Sequence, residues 1–291
     1  MIYILIPSFN EYGNIANIAA SLSKNFEGIE YKIIFSDDGS TDGTWECIKK
    51  LSTSDDRISG IRLNKNCGKE YAIDAGLHEC GKLYDMDCVI VMDCDMQHPP
   101  QTARKMYDMW REEKYDVISG VKTYENREHR RSSEIFNMVF SKISKIDLTN
   151  ASDFKLLSAN AVKAINSYCE NMRFFRAIAE QIGMKKAKLE FTASKRMIGD
   201  TKWSKIKLIK YAVENMLSYS RFPASVVFVL AAILLITSFV VCEYYIITAG
   251  IVCILMVLAL LGAYIGRIYD EVRCRPKYFI WERTGFEDKS E

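Results

Sequence analysis

The stretch from residue 222 to residue 266 contains a single charged side chain, Glu243. Residues 223–242 and 244–266 are each long enough to cross a hydrocarbon core of roughly 30 Å as one helix. A helix of a soluble protein normally keeps a polar stripe along one face, and neither segment has one. The pattern therefore favours a two-helix transmembrane hairpin over the alternative, a buried helical hairpin in a soluble core.

Basic residues flank both outer ends of this hairpin: Lys205, Lys207, Lys210 and Arg221 before it, and Arg267, Arg273 and Arg275 after it. The turn between the two spans has no basic residue. The positive-inside rule then predicts that both termini lie on the cytoplasmic side of a multi-pass protein of the cell inner membrane. Apolar side chains recur at helical spacing over residues 203–221, which indicates an amphipathic helix in the membrane interface. A surface helix packed on its own domain is the alternative.

Short apolar runs alternate with helical patterns in the first half of the chain. The predicted strands are 2–6, 31–36, 58–63, 88–92 and 116–121, and the predicted helices are 15–24, 44–51, 70–80 and 102–113. This alternation predicts a doubly wound, mostly parallel α/β sheet. A further short strand is expected at 154–157. We therefore expect four regions: an α/β domain (1–202), the interfacial helix (203–221), the hairpin (222–266) and a cytoplasmic tail (267–291).

Charge and cysteine content argue against several classes of protein. The formal net charge of +2 creates no field that favours nucleic acid. Three histidines, and nine cysteines without a C-x-x-C pair, argue against a zinc site and against a disulfide framework. Free thiols fit a reducing cytoplasm. Met1 runs directly into an apolar strand, so we expect no signal peptide.

Three acidic clusters directly follow predicted strands. They are PSFNE at 7–11, DDGSTD at 37–42 and DCDMQHPP at 93–100. Because ligands of such sheets bind beyond the carboxyl ends of the strands, we expect the clusters to meet at one rim. So many carboxylates in one place need a cation or a neutral partner. One member, Asp42, is equally well explained as a helix cap.

Asp93 and Asp95 form a D-x-D pair of hard oxygen ligands. Mg²⁺ usually takes one or two carboxylates and completes its shell with water and substrate phosphates. A bare D-x-D is common in loops, but this one ends an apolar strand and precedes a double proline. The pattern predicts a site for Mg²⁺ or Mn²⁺ together with a ligand that carries phosphate.

Taken together, the motifs resemble family 2 glycosyltransferases of the polyprenyl-phosphate type, the group of bactoprenol glucosyltransferases and dolichol-phosphate mannose synthases. The matching stretches keep the family order over nearly the whole chain. They are IPSFNE at 6–11, DDGSTDGT at 37–44, NCGKE at 66–70, DCDMQHPP at 93–100, SDFKLL at 152–157, GDTKWS at 199–204, and Arg275-Pro276. The resemblance implies a GT-A fold, which is Rossmann-like, and a transfer that inverts the anomeric centre.

The resemblance also implies roles for single residues. The nucleotide site would comprise Pro7, Phe9, Glu11, Asp37 and Asp38. Asp38 would accept a hydrogen bond from the base. The metal and the diphosphate would be held by Asp93, Asp95 and Gln97, and the catalytic residues would be Asp153, at the position of the family's proposed catalytic carboxylate, and Asp95. His98 is better explained as a turn residue than as a base.

Three positions depart from the family pattern. Cys94 stands where alanine is usual, and Lys122 and Lys155 stand where arginine is usual. Lysine keeps the charge of arginine but loses its bidentate geometry. The details of phosphate binding are therefore open at these positions.

The basic loop at residues 122–131 lies between the acidic motifs and the predicted membrane segments. An arginine fork matches phosphate oxygens, so an acceptor-phosphate site is predicted at Arg127, Arg131 and Lys202. A solvated run of charge is the alternative. Lys69, at a predicted helix start, could reach the diphosphate or lie on the surface.

The resemblance implies transfer of a hexose from a nucleotide diphosphate sugar to undecaprenyl or another polyprenyl phosphate, for modification of cell-envelope glycans. UDP-glucose is the first choice because two spans and a short tail resemble the bactoprenol enzymes. A GDP-mannose-dependent synthase is the alternative, since Asp38 could accept from either base. An inactive nucleotide-binding membrane protein is a second alternative. A processive polysaccharide synthase is disfavoured because the sequence has no Gln-x-x-Arg-Trp element and only two predicted spans. A lipid-sugar transporter is disfavoured because two spans make a poor translocation path. Association into a homo-oligomer stays open.

Overall fold

The computed structural model describes residues 1–123, 151–168, 170, 174–192, 243–273 and 275–286. The strands of this part of the chain are β1 (Ile2–Ser8), β2 (Tyr31–Asp37), β3 (Ile58–Leu63), β4 (Cys88–Val91), β5 (Val117–Thr123), β6 (Ala151–Ser158), β7 (Lys186–Thr192) and β8 (Ile280–Thr284). The helices are α1 (Tyr12–Asn25), α2 (Thr44–Ser54), α3 (Lys69–Cys80), α4 (Pro100–Glu113), α5 (Ala159–Asn166), α6 (Phe175–Gln181) and α7 (Glu243–Val272). Each strand and helix predicted within residues 1–123 overlaps one of these elements.

The strands form one sheet with the order β7-β5-β6-β4-β1-β2-β3-β8. β4, β1, β2 and β3 are parallel neighbours, as the alternation of strands and helices predicts. β6 runs antiparallel to both β4 and β5, and β8 runs antiparallel to β3. The sheet is therefore mixed, and the prediction of a mostly parallel sheet was too simple. β6 and β8 pair antiparallel with β4 and β3, whereas the crossover helices of the first half of the chain join parallel strands.

Apolar side chains of β1 point alternately to the two faces of the sheet, which explains why helices cover both faces. Ile4 and Ile6 point to one face and pack with Ile18 of α1, whereas Leu5 points to the other face and packs with α3. All are fully buried. α3 approaches closely because Gly76 has no side chain: a Cβ there would lie 2.2 Å from a methyl carbon of Leu5. The two buried layers fix the carboxyl ends of β1, β2 and β4 side by side.

The helix α7 contains the second predicted membrane span. Its stretch Gly250–Val272 is long and apolar enough to cross a membrane, and within the described part of the chain no residue of its most apolar window is buried. The helix continues beyond residue 266, where the span was predicted to end. The first predicted span (223–242) and the predicted interfacial helix (203–221) lie outside the described residues, so the hairpin stays a prediction.

Residues 280–284, expected in a tail, form the edge strand β8. Glu282 accepts a hydrogen bond from Trp45 Nε1 at 2.8 Å. Thr284 shares a hydroxyl–hydroxyl hydrogen bond of 2.7 Å with Ser52. The segment that follows α7 is therefore built into the sheet beside β3.

Candidate active site

Two of the three acidic clusters are joined by hydrogen bonds at the carboxyl ends of β1 and β2. The backbone N–H of Asn10 donates to Ser40 Oγ at 2.9 Å, and the N–H of Asp38 donates to the carbonyl of Ser8 at 2.9 Å. The Asn10 side chain accepts from the N–H of Thr41 at 2.9 Å. Since β4 neighbours β1, the third cluster ends at the same rim. The structure thus brings the three motifs to one edge of the sheet.

Asp38 holds the loop that precedes α3. One carboxylate oxygen accepts from the N–H of Cys67 at 2.7 Å, and the other accepts from the N–H of Gly68 at 2.8 Å. Burial raises the pKa of Asp38 to about 6, and the two hydrogen bonds offset only part of that shift. Each oxygen keeps a second lone pair, so Asp38 can still accept a hydrogen bond from a ligand.

Asp37 points into the protein and supports its own loop, at residues 37–42. Its side chain is fully buried and accepts hydrogen bonds from both the hydroxyl and the backbone N–H of Ser40. Arg62 Nε lies 3.5 Å from the Asp37 carboxylate. Burial raises the pKa of Asp37, although Ser40 and Arg62 both lower it. Asp37, predicted as a nucleotide-site residue, therefore braces the loop that carries Asp38.

The centre of the site is a lysine between two carboxylates. Lys69 Nζ lies 2.6 Å from Asp93 Oδ1 and 2.6 Å from Asp153 Oδ2. Lys69 opens α3, Asp93 follows β4, and Asp153 lies in β6. The antiparallel pairing of Val91 with Lys155, continued by two residues, places Asp93 opposite Asp153. The unexpected strand direction of β6 is what brings these two acids together.

Arg176 holds the other side of Asp153. Its Nε donates to Asp153 Oδ1 at 2.6 Å, and one terminal nitrogen donates to Oδ2 at 3.0 Å. This is the bidentate geometry that makes arginine–carboxylate pairs strong. Sequence reasoning missed Arg176, because a lone arginine on a short helix carries no recognisable signal. It also left Lys69 undecided between the diphosphate and the surface.

The charges in this cluster shift one another's pKa values. Burial alone would raise the pKa of Asp153, but Arg176 and Lys69 hold it well below its usual range. Burial would also raise the pKa of Asp93, and Lys69 lowers it below its usual value. Burial alone would lower the pKa of Lys69, and the two aspartates raise it above its usual value. The cluster is therefore fully ionised near neutral pH.

The D-x-D turn offers oxygen donors without forming a metal cage. Asp95 accepts from the backbone N–H of Gln97 at 3.1 Å, and Asp95 is buried. Among the described residues, no group of three or more His, Cys, Asp or Glu side chains is placed to hold a metal. Two carboxylates nevertheless fit Mg²⁺ or Mn²⁺, which complete their shell with water and substrate phosphates. Asp93 and Asp95 are the residues that would hold such an ion.

His98 is a buried part of this turn. Its Nδ1 accepts from the backbone N–H of Asp93 at 2.9 Å, and its ring stacks on Phe154 with centroids 4.7 Å apart. Burial lowers the pKa of His98. A neutral ring in these contacts shapes the D-x-D turn and is not placed as an exposed base.

The first acidic cluster, residues 7–11, connects β1 to α1. Pro7 is buried in β1 opposite Ser36, and Phe9 is half-buried. The Glu11 side chain accepts from Asn14 Nδ2 at 2.6 Å. Three predicted nucleotide-site residues thus lie together where β1 leads into α1. The predicted acceptor-phosphate residues Arg127, Arg131 and Lys202 lie outside the described residues.

Comparison with known proteins identifies the family. The model of the family described as glycosyl transferase family 2 matches residues 3–176. The chain is 33% identical over 307 residues to the CsbB protein of Bacillus subtilis (strain 168), whose name describes a glycosyltransferase, covering 97% of this chain and 92% of the relative. It is 31% identical over 309 residues to the bactoprenol glucosyl transferase of Shigella phage SfX, covering 97% and 99%.

A solved structure shows the same fold at low sequence identity. Glucosyl-3-phosphoglycerate synthase from Mycobacterium tuberculosis, in complex with Mn²⁺ and UDP-glucose, superposes with a TM-score of 0.53 at 14% identity, covering 76% of this chain and 79% of that one. The mixed sheet flanked by helices is thus the Rossmann-like GT-A arrangement. The chain belongs to glycosyl transferase family 2 and is a glycosyltransferase.

Proposed function

We propose that this enzyme transfers a hexose, glucose as first choice, from a UDP-sugar to a polyprenyl phosphate such as undecaprenyl phosphate. The product would be a polyprenyl-phosphate sugar that serves in modification of cell-envelope glycans. The similarity to bactoprenol glucosyl transferases over nearly the whole of both chains supports this acceptor. The exposed apolar helix α7, placed after the catalytic part of the chain, supports access to a lipid substrate in the membrane.

The observation that carries the proposal is the Lys69–Asp93–Asp153 cluster with Arg176 against Asp153. It lies at the carboxyl rim beside Asp38, where ligands of such sheets bind. The rim would hold the base at Asp38 and the diphosphate near Asp93 and Asp95. A divalent ion held there would stabilise the charge of the departing nucleoside diphosphate. Lys69 would supply a further positive charge to the same diphosphate.

The chemistry of the acceptor fits the charge state of Asp153. A phosphate monoester has its second pKa at roughly 6, so it is largely ionised at neutral pH and needs little help from a base. One of its oxygens would attack the anomeric carbon and form the new C–O bond. The bond from that carbon to the diphosphate would break, and the nucleoside diphosphate would leave with both electrons. Attack from the opposite face would invert the configuration.

Asp153 would act as an orienting carboxylate in this scheme. Arg176 and Lys69 offset the effect of burial and hold its pKa well below its usual range. A carboxylate of that kind is a poor proton acceptor, whereas its fixed position suits alignment of groups at the anomeric carbon. The acceptor phosphate would be bound by Arg127, Arg131 and Lys202. Both termini would face the cytoplasm.

The test is a reconstituted transfer reaction. Purified full-length protein is incubated with UDP-glucose, undecaprenyl phosphate and Mg²⁺, and the lipid product is identified by mass. We expect a product that is heavier than the acceptor by one hexose and that forms only when both substrates are present. Parallel reactions with GDP-mannose, and with other UDP-sugars, separate the donor from the reaction type. Absence of any lipid-linked sugar with every donor would overturn the proposal.

A further inference from the structure

A second buried charge pair lies beside the catalytic carboxylate. Lys155 is fully buried, and its Nζ lies 2.9 Å from Glu180 Oε1 and 2.6 Å from Ser119 Oγ. The Ser119 hydroxyl also donates to Glu180 at 3.1 Å. Lys186 Nζ lies 3.4 Å from the other Glu180 oxygen, at the more exposed side of the pair.

The two pairs are built on the same two elements. Asp153 and Lys155 are two residues apart on β6, so their side chains point to the same face. Arg176 and Glu180 are four residues apart on α6, so they lie on the same helix face. Asp153–Arg176 and Lys155–Glu180 thus form two successive rungs of opposite polarity between one strand and one helix, here called the charge ladder.

Burial makes the second rung costly as a purely stabilising device. A buried ion pair pays a large desolvation penalty, and apolar residues of similar volume often stabilise a protein equally well or better. Burial lowers the pKa of Lys155, while Glu180 and then Asp153 raise it and Arg176 lowers it. Each rung therefore acts electrostatically on the other. In some proteins, such pairs help to specify a single arrangement of the packed elements.

The helix α6 is short and is held by polar contacts at both ends. The backbone N–H of Phe175 donates to the Glu70 side chain at 2.8 Å. Glu70 directly follows Lys69 in the chain. At the other end, Glu180 is held by Lys155. Between these two anchors lies Arg176, whose fork fixes the Asp153 carboxylate.

We propose that Lys155 and Glu180 are positioning residues, which set the position of α6 on β6 so that Arg176 orients Asp153. This inference rests on the proposed role of Asp153 in sugar transfer. Lys155 is fully buried and bonded to Ser119 and Glu180, so in this proposal the effect of the pair on the reaction passes through Arg176 and Asp153.

The proposal is tested with the near-isosteric double variant Lys155→Met/Glu180→Gln in the full-length protein. The two changes are made together, because Glu180→Gln alone would leave the Lys155 charge buried without its partner. We expect a midpoint of thermal unfolding within a few degrees of wild type. We also expect kcat to fall by about tenfold, because a misplacement of about 1 Å can lower a rate by about a hundredfold and the displacement here should be smaller. KM for the donor should stay within about twofold, since the base and diphosphate contacts are elsewhere. Lys105→Met, the same change at an exposed position of α4, is the matched control and should keep wild-type kcat.

Hydrogen–deuterium exchange gives a readout that does not depend on transfer. Amides of α6 should exchange faster in the double variant, while those of α5 stay unchanged. Ser119→Ala is a milder second variant that keeps both charges. We expect a kcat loss of roughly threefold and a smaller change in the exchange rates of α6.

A folded double variant with wild-type kcat and wild-type exchange would overturn the proposal. If the double variant does not fold, wild-type kcat and exchange in Ser119→Ala would overturn it as well. If the wild type transfers no sugar, the proposed function fails, and the exchange of α6 alone decides the inference.

Discussion

Lys69 Nζ lies 2.6 Å from Asp153 Oδ2, although the two residues are 84 positions apart in the chain. The same ammonium lies 2.6 Å from Asp93. One lysine thus pairs with both the acid proposed for the metal and the acid proposed for alignment. Its charge holds the two carboxylates together, and the same charge lies beside the proposed position of the donor diphosphate.

We predict that Lys69→Met lowers kcat/KM for the donor by about tenfold to over a hundredfold. A charge-assisted contact to phosphate contributes about 1.5–3 kcal/mol, and methionine keeps the length of the side chain without the charge. Lys69→Arg should recover part of the loss. The exposed Lys65→Met is the matched control and should behave as wild type. Steady-state kinetics with varied donor measure the effect, and an unchanged kcat/KM in Lys69→Met would return this lysine to a structural role.

Asp95→Asn should abolish transfer while the protein still folds. An amide is a weaker ligand for a hard cation than a carboxylate, so the divalent ion would be lost or misplaced. Excess chelator should stop the wild type in the same way, and added Mg²⁺ or Mn²⁺ should restore it. The exposed Asp56→Asn serves as the control for loss of a charge. Full activity of the wild type in excess chelator is the result that would contradict a metal requirement.

The acceptor hypothesis is tested at Arg131. Arg131→Gln should raise KM for the lipid phosphate by about tenfold to over a hundredfold and leave KM for the donor nearly unchanged, because one phosphate contact is removed. Kinetics with undecaprenyl phosphate in detergent micelles separate the two constants. Arg111→Gln, an exposed arginine on α4, is the control. If Arg127, Arg131 and Lys202 variants all respond to acceptor as the wild type does, the loop is a solvated run of charge.

The parallel core of the fold was predictable from local patterns. Apolar runs as strong as residues 2–6 and 31–36 specify buried strands, and the helices between them dictate crossover connections. The acidic motifs were found because they directly follow those strands. These features are all encoded within short windows of sequence.

The remaining parts depend on pairing between distant segments. Nothing near residue 153 indicates that β6 runs antiparallel beside β4, yet this direction places Asp153 opposite Asp93. Arg176 reaches Asp153 only because α6 packs on that strand. β8 is likewise a short segment of an expected tail, and its place beside β3 depends on contacts such as Glu282 with Trp45. Long-range pairing of this kind leaves no periodic signal in the chain.

Asp38 should make UDP binding depend on pH. Burial raises its pKa from 3.8 to about 6, so it is protonated below that pH and can no longer accept as a carboxylate. Because folding raises the pKa of Asp38, the contribution of Asp38 to the free energy of unfolding is fully present below pH 3.8. That contribution is lost as the pH rises through about 6. UDP affinity should change in the opposite direction, falling by up to about tenfold per pH unit below 6. Calorimetry from about pH 5 to pH 8 measures this.

Asp38→Asn is the matched control for that experiment, since UDP titrates in the same range. Any pH dependence common to both proteins belongs to the ligand, and the difference between them belongs to Asp38. Asparagine also turns an NH₂ group toward one of the two N–H donors at Cys67 and Gly68, so weaker binding is expected at every pH. Equal pH profiles for the two proteins would show that the Asp38 charge plays no part in binding.

The choice of base is the last prediction, and it concerns the same carboxylate. Asp38 can accept from uracil N3–H or from guanine N1–H, so the carboxylate alone does not decide between the nucleotides. The chain is similar over nearly its full length to a protein named bactoprenol glucosyl transferase, and the proposed function takes UDP-glucose as the donor. We therefore predict that, with Mg²⁺ present, UDP binds more tightly than GDP. Asp38→Ala should reduce that preference, because both the contact to the base and the support of the loop at Cys67 and Gly68 are lost. Calorimetric titration of the wild type with each nucleotide decides the question: tighter binding of GDP would move the enzyme to the mannose-transferring branch, while leaving the lipid acceptor untouched.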